Sequence, residues 1–315
     1  MRGLTFRLRL ESDLGTPMRG DTLFGQLCWT LRLAEGEEAL SRALARYTDG
    51  EPFLIVSDAC PAGFLPKPEI SPPPISDDRL GETQDWVRRK SWSARKWLPV
   101  EALSRPLIEA FRADKLAGPP SGTETLQSHN AINRLTGTTG TGAFAPYQTA
   151  VTAFDPPARD VEVRCLHDPD RLTETALSDL IRRMGLSGFG RDASIGLGKF
   201  RVEGGAPAEF RAGSNAVTLA PCRPAAHEVE EADSFWRPFT RFGRHGAAAS
   251  AGRVFKTPVL LADTGAVLRI DEAAAGRAFV GTGLGCDGSL SRQIPATVHQ
   301  AYAPVLPVDL GGWDV

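Results

Sequence analysis

One stretch limits what this chain can fold into more than any other. Met184-Gly-Leu-Ser-Gly-Phe-Gly-Arg-Asp-Ala-Ser-Ile-Gly-Leu-Gly-Lys-Phe200 carries glycine at positions 185, 188, 190, 196 and 198. A helix end needs one glycine; this many admit sharp turns and close backbone approaches that other residues resist. The N–H groups of such a loop are free to converge on a phosphate-bearing partner. Arg191 and Lys199 supply charge for phosphates, and Ser194 a hydroxyl for a phosphate oxygen or a ribose.

The flanks decide which kind of phosphate loop is possible. Leu177, Leu180, Ile181 and Met184 share one helical stripe before the loop, and Lys199-Phe-Arg-Val202 alternates like a strand after it. The order is helix, glycine loop, strand. Gly188-Phe-Gly190-Arg-Asp-Ala193 matches the dinucleotide fingerprint in letters, but that fingerprint needs a strand before it and a helix after it. A Walker loop is excluded because Phe200, not a hydroxyl residue, follows Lys199.

Elsewhere the periodicity is that of an α+β protein. Leu4, Phe6, Leu8 and Leu10 alternate with Thr5, Arg7 and Arg9, which predicts a strand with one buried face. Asp21 is placed to cap a helix running to about residue 34, with Leu23, Phe24, Leu27, Trp29 and Leu31 on its buried side. A short helix over 37–47 and a strand over 53–56 follow. The proline-dense stretch 60–76 cannot form a regular core element and introduces an inserted arm over about 60–142. Strands at 143–154 and 161–167 then lead into the helix, glycine loop (185–198) and final strand. Gly204-Gly-Ala-Pro207 reads as a boundary between one unit over 1–204 and a β-rich unit over 205–315.

Two segments combine cations with aromatic residues. Trp86-Val-Arg-Arg-Lys-Ser-Trp-Ser-Ala-Arg-Lys-Trp97 is either an RNA-facing platform or a helix that packs its tryptophans on the body. Residues 234–258 hold Arg237, Arg241, Arg244, Arg253 and Lys256 among five aromatic side chains, with no acid. Their alternatives are an RNA-lining face and a strand pair with a solvated basic side.

With 42% hydrophobic residues among 315 the chain has enough apolar content for a packed core, and its net charge of −2 does not by itself announce a nucleic-acid binder. Its five cysteines are dispersed, odd in number and never spaced Cys-x-x-Cys, which fits a reducing cytosol and neither a zinc ribbon nor a disulfide scaffold. No run approaches the roughly 20 apolar residues of a membrane span, so the expected location is cytoplasmic. His129, His167, His227, His245 and His299 are scattered, and no carboxylates stand paired at a metal-binding spacing. The expectation is no catalytic residue, no metal and no cofactor.

Several ordered motifs carry a resemblance. The glycine stretch resembles the glycine-rich loop of the RAMP superfamily of CRISPR-associated RNA-binding proteins. Arg19-Gly-Asp-Thr-Leu-Phe-Gly-Gln-Leu-Cys-Trp29 resembles the first-helix start in the subunits that cap type III effector complexes. Phe53-Leu-Ile-Val-Ser-Asp-Ala-Cys-Pro61 with Leu65-Pro-Lys-Pro68, His129-Asn-Ala-Ile-Asn-Arg-Leu-Thr-Gly137 and Phe255-Lys-Thr-Pro-Val259 extend the match. The resemblance implies tandem ferredoxin-like domains, the second degenerate, and a non-catalytic subunit that binds the 5′ handle of a crRNA in antiviral defence. It implies two protein partners, the large polymerase-like subunit and a backbone RAMP subunit, with no membrane and no small-molecule substrate. Neighbouring subunits of the superfamily cleave RNA with a loop aspartate where Asp13 stands, but the capping subunit does not. The alternative is a metal-independent endoribonuclease of the same superfamily that processes repeat RNA.

The candidate RNA-binding residues are Met18 and Arg19 before the first helix, and His129, Asn130 and Arg134 at the root of the arm. In the glycine loop they are Gly188, Phe189, Gly190, Arg191, Ser194, Gly196, Gly198 and Lys199. Arg241, Arg244 and Lys256 complete the set.

Overall fold

A strand whose alternate residues are Leu4, Phe6, Leu8 and Leu10 must bury one face, and all four are at most 3% exposed. The computed structural model describes residues 1–72, 83–113, 116–246 and 255–313; Pro73, Pro74, Arg253 and Val254 lie outside them. In chain order the first elements are β1 (Arg2–Leu10), α1 (Gly20–Glu35), α2 (Glu37–Leu44), β2 (Leu54–Val56), β3 (Cys60–Pro61) and β4 (Phe64–Pro66). Next come α3 (Thr83–Ala94), β5 (Trp97–Pro99), α4 (Val100–Leu103), α5 (Leu107–Arg112), β6 (Thr123–His129) and β7 (Tyr147–Ala153). The first unit closes with β8 (Asp160–His167), α6 (Glu174–Ser187) and β9 (Phe200–Pro207).

Its sheet runs β2, β8, β1, β9, all antiparallel, with β3 also against β8. The register sets Leu4, Phe6 and Leu8 of β1 opposite Cys165, Val163 and Val161 of β8, so the buried faces coincide. α1 and α6 cover that face with Leu23, Phe24, Leu27 and Leu31 from the one and Leu177, Leu180, Ile181 and Met184 from the other. Thr173 caps α6, its hydroxyl accepting from the Ala176 N–H at 3.2 Å. Asp21 is not the expected cap. Arg19 occupies that position with no side-chain capping bond, and Asp21 lies buried in the first turn.

The insertion divides into two structures. The described residues of 60–113 do form regular elements despite their prolines, because β4 pairs with β5 and α3 to α5 pack onto the body. Trp92 decides this. It is 2% exposed and meets Phe111 and Trp313 at ring distances of 5.8 and 5.5 Å, whereas Trp86 stays exposed. β6 and β7 form a separate hairpin that projects with mostly exposed residues. Residues 147–153 are therefore the returning strand of that hairpin and not a strand of the main sheet.

Gly204-Gly-Ala-Pro207 lies inside β9, paired with residues 4–7 of β1. The second unit contains β10 (Asn215–Thr218), β11 (Pro238–Arg241), β12 (Val259–Ala262), β13 (Val267–Arg269), β14 (Phe279–Gly285) and β15 (Val298–Pro307). One sheet runs β13, β10, β15, β14, and β11 pairs with β12 beside it; no α-helix belongs to this unit among the described residues. β13, an edge strand, follows β10 directly apart from the β11–β12 pair, so the connectivity departs from that of a ferredoxin-like unit.

The seam between the units is buried and specific. Tyr302 of β15 donates to the Tyr47 carbonyl at 2.8 Å, and Tyr47 stacks on Phe24 at 4.8 Å. The Gln300 amide accepts from the Val56 N–H at 2.9 Å and donates to the Val56 carbonyl at 2.7 Å, closing the free edge of β2. No described helix is long and apolar enough to cross a membrane.

Candidate nucleic-acid interface

Glycine is required in the loop where backbone meets backbone. Gly188 ends α6 at φ +88°, and Phe189 turns inward, wholly buried. The Phe189 N–H then donates to the Gly198 carbonyl at 2.9 Å, so the loop closes on itself. A Cβ on Gly198, at φ +71°, would stand 2.0 Å from the Phe189 carbonyl oxygen. Phe189, one of the candidate contact residues, is the plug that holds the loop to the core.

The loop amides are mostly not directed at a ligand. Gly190 N–H donates to Gln26 Oε1 at 3.1 Å, Arg191 N–H to Thr16 Oγ1 at 3.0 Å, Gly198 N–H to the Asp13 carbonyl at 2.8 Å and Lys199 N–H to Ser12 Oγ at 2.8 Å. Gln26 Nε2 returns a bond to the Gly188 carbonyl at 2.7 Å. The glycine loop is thus laced to residues 12–16 and to α1. Sequence reasoning missed Ser12, Thr16 and Gln26; Gln26 stood within the quoted first-helix motif, but nothing in its spacing linked it to a loop some 160 residues away.

What the loop presents outward is side chain. Ser194 and Lys199 are exposed, and among the described residues no ion pair engages Lys199. Arg191 is differently placed from expectation. Its guanidinium donates to the Ala150 carbonyl of β7 and pairs with Asp192 at 3.1 Å. Together with the Leu14–Thr152 backbone bonds of 3.0 and 2.9 Å, Arg191 ties the glycine loop to the root of the hairpin.

The hairpin carries the next group of candidates. His129 Nε2 bonds Thr149 Oγ1 at 2.9 Å, and its ring stacks on Tyr147 at 5.2 Å. Asn130 and Arg134 are exposed beyond it, and Leu126, Ile132 and Leu135 are 62% to 97% exposed. Such a surface offers stacking and apolar contact with one cation at its tip.

The cations before α1 and in β11 have another duty. Met18 is 5% exposed and belongs to the core. Arg19 pairs with Asp263 and lies 4.4 Å over the Phe239 ring, while Arg241 grips Asp21 with two bonds of 2.5 and 2.6 Å and covers the same ring at 4.9 Å. These partners are long-range and join α1 to the second unit. Asp58 joins them, accepting from the Gly20 N–H and the Thr264 hydroxyl, both at 2.7 Å. Burial lifts its carboxyl to about 6, with Arg19 and those two donors opposing. His299 lies 3.6 Å from Asp21, and burial takes its imidazole down to about 4. Burial also lowers the half-buried Lys256 ammonium. Of the three cations expected here, Arg244 alone is exposed, with its guanidinium 5.3 Å over Phe255.

On the sheet face opposite the helices the arginines have carboxylate partners. Arg7 and Arg9 pair with Asp160 at 3.4 and 2.8 Å, Arg164 with Glu162 at 2.7 Å and Arg201 with Glu203 at 2.9 Å. Of the candidates, Arg191, Ser194 and Lys199 on the glycine loop, Asn130 and Arg134 on the hairpin that Arg191 braces, and Arg244 beyond β11 are exposed, while His129 is half-buried. No group of three or more histidine, cysteine or acidic side chains among the described residues could hold a metal ion.

No family model matches the sequence, and no curated protein matches it. Solved structures do. A chain of a Csm1–Csm4 cassette in complex with pppApA aligns with a TM-score of 0.60 at 16% identity, over 99% of this chain and 100% of that chain. The cassette in complex with AMPPNP gives 0.59 at 15%, over 98% and 99%. The Csm3–Csm4 subcomplex of the type III-A CRISPR-Cas interference complex gives 0.56 at 11%, over 98% and 99%. At such identities the likeness is one of fold: this chain has a Csm4-like fold of the α+β class over nearly its whole length.

Proposed function

We propose that this chain is a non-catalytic RNA-binding subunit of a type III CRISPR effector complex, and that it holds the repeat-derived 5′ handle of the crRNA. The observation that carries the reading is the whole-length likeness to chains from Csm1–Csm4 and Csm3–Csm4 assemblies, joined to a glycine loop braced against an exposed hairpin. We read the first unit as ferredoxin-like from its strand order and the second as a derived form with no α-helix among the described residues. Its protein partners would be the large polymerase-like subunit and a backbone RAMP subunit, and its role antiviral defence.

In this reading Lys199 and Arg134 neutralise phosphates, and Ser194 donates to a phosphate oxygen or ribose. The stacked His129–Tyr147 pair, with Tyr147 54% exposed, receives an unstacked base. Labelled single-stranded repeat RNA, titrated by fluorescence anisotropy across a salt series, tests it. Lys199→Ala and Arg134→Ala should each weaken binding and reduce the salt slope by about 0.7, the value for one phosphate on a single strand. Wild-type affinity and slope in both variants would overturn the assignment.

For the endoribonuclease alternative, His167, His245 and His299 are buried, which leaves His129 and His227. Discrete cleavage of repeat RNA in chelator, lost on His129→Ala or His227→Ala, would replace the binding role with catalysis.

A further inference from the structure

We infer that Gln26 is the positioning residue of the glycine-rich loop: its side-chain amide grips the backbone on both sides of Phe189 and sets the direction in which Ser194 and Lys199 face RNA. The inference rests on the RNA-holding role proposed above.

A glycine-rich loop has a defect that its sequence cannot repair. Glycine accepts φ values of either sign at little cost, so nothing intrinsic keeps Gly188 at φ +88° and Gly190 at φ +78°. The restraint has to come from another part of the chain. Gln26 supplies it with one planar group that both donates and accepts: Nε2 to the Gly188 carbonyl at 2.7 Å and Oε1 from the Gly190 N–H at 3.1 Å. The peptides before and after Phe189 are thereby held at once, as two strands hold each other in a ladder.

Where the grip is mounted matters as much as its geometry. Ser12, Asp13 and Thr16 also hold the loop, but they lie on the stretch between β1 and α1, outside any helix or strand. Gln26 sits midway along a helix of 16 residues whose Leu23, Phe24, Leu27 and Leu31 are buried and whose first turn is pinned by the Asp21–Arg241 pair. Among the side chains that hold the loop backbone in the described residues, it is the one carried by a regular element. A ligand contact placed on a rigid support loses less freedom on binding.

Among the described residues the side-chain bonds of Gln26 go to the Gly188 and Gly190 backbone and not to Ser194 or Lys199, so its replacement removes no cation. Gln26→Leu keeps most of the side chain's bulk, one atom shorter, and deprives the Gly188 carbonyl and Gly190 N–H of their partner. We expect repeat RNA to bind about ten-fold more weakly, from the loss of roughly one hydrogen bond's worth of restraint, with an unchanged salt slope. Hydrogen exchange at Gly190 should accelerate while the core of α1 keeps its protection. Gln26→Glu is the second variant. Its carboxylate accepts from Gly190 but repels the Gly188 carbonyl, whereas its protonated form restores both bonds. Its affinity relative to the parent, measured at each pH, should therefore recover between about pH 8 and pH 5.

The outcomes separate the two claims. If the parent chain fails to bind single-stranded repeat RNA, the RNA role falls, while the exchange measurement still reads the grip. If the parent binds and Gln26→Leu binds within about two-fold of it, Gln26 does not position the loop. A salt slope lower by about 0.7 in Gln26→Leu would make it a disturbed phosphate contact and sink the positioning role. Should that variant fail to fold, a flat pH profile of the Gln26→Glu affinity ratio has the same effect.

Discussion

Gln300 offers the sharpest test of how the two units are joined. Its side chain is wholly buried, and its amide completes both polar groups of Val56 on the edge of β2 that β8 leaves free. Gln300→Leu removes that partner from a buried N–H and a buried carbonyl together. Each such group left unpaired costs about 1–3 kcal/mol, and the leucine recovers part through apolar burial, so a net loss of about 3 kcal/mol is expected. Against a total stability of about 5–15 kcal/mol that is large enough to read from the urea midpoint at an unchanged slope. Gln300→Glu adds a directional check. Protonated, the introduced carboxyl group offers the same donor and acceptor; ionised, it faces the Val56 carbonyl with a second acceptor. Its folded-state pKa is then raised above the ordinary value of about 4.3, so the stability of this variant relative to the parent falls as pH rises through that window and recovers as pH drops. A Gln300→Leu chain within about 1 kcal/mol of the parent, or a Gln300→Glu deficit independent of pH, would refute the claim that this amide joins the units.

Two further outcomes are expected. Gly198→Ala places a Cβ 2.0 Å from the Phe189 carbonyl at φ +71°, and should lower thermal stability by about 2–4 kcal/mol, with a melting temperature equal to the parent's as the contrary result. Asp58, lifted to about 6 by burial, binds protons more readily folded than unfolded; its ionised form therefore costs stability above about pH 6, and the loss reverses as pH falls toward about 4. Asp58→Asn should remove that component, which amounts to about 3 kcal/mol for the parent, and be no less stable than it at about pH 7.5; a variant that is destabilised there and keeps the parent's pH profile would show the carboxylate to be stabilising.

Local pattern and tertiary context divided this protein between them. Alternation along β1, the helical stripe of α6 and the helix, loop, strand order around the glycines were legible because each is a short-range periodicity enforced by one buried face. The loop's place after a helix was enough to exclude the nucleotide-binding loops. Trp86 and Trp92 show where such reading stops: both stand in one basic segment, yet one is exposed and the other closes an aromatic cluster with Trp313 from the far end of the chain.

The same limit governs the site. Arg19, Arg191 and Arg241 look alike in sequence to Lys199 and Arg134, as cations beside glycine or aromatic residues. Their fates differ because Asp263, the Ala150 carbonyl and Asp21 reach them across 244, 41 and 220 residues. A cation settles on whichever acceptor the fold brings beside it, and only the packed chain determines which acceptor lies within reach. The sequence by itself determined that residues 185–198 turn sharply between a helix and a strand, since glycine's freedom is a local property. The tertiary structure alone decided that this freedom is removed by Gln26, Thr16 and Ser12, and that Ser194 and Lys199 are left facing outward, since those restraints come from distant parts of the chain.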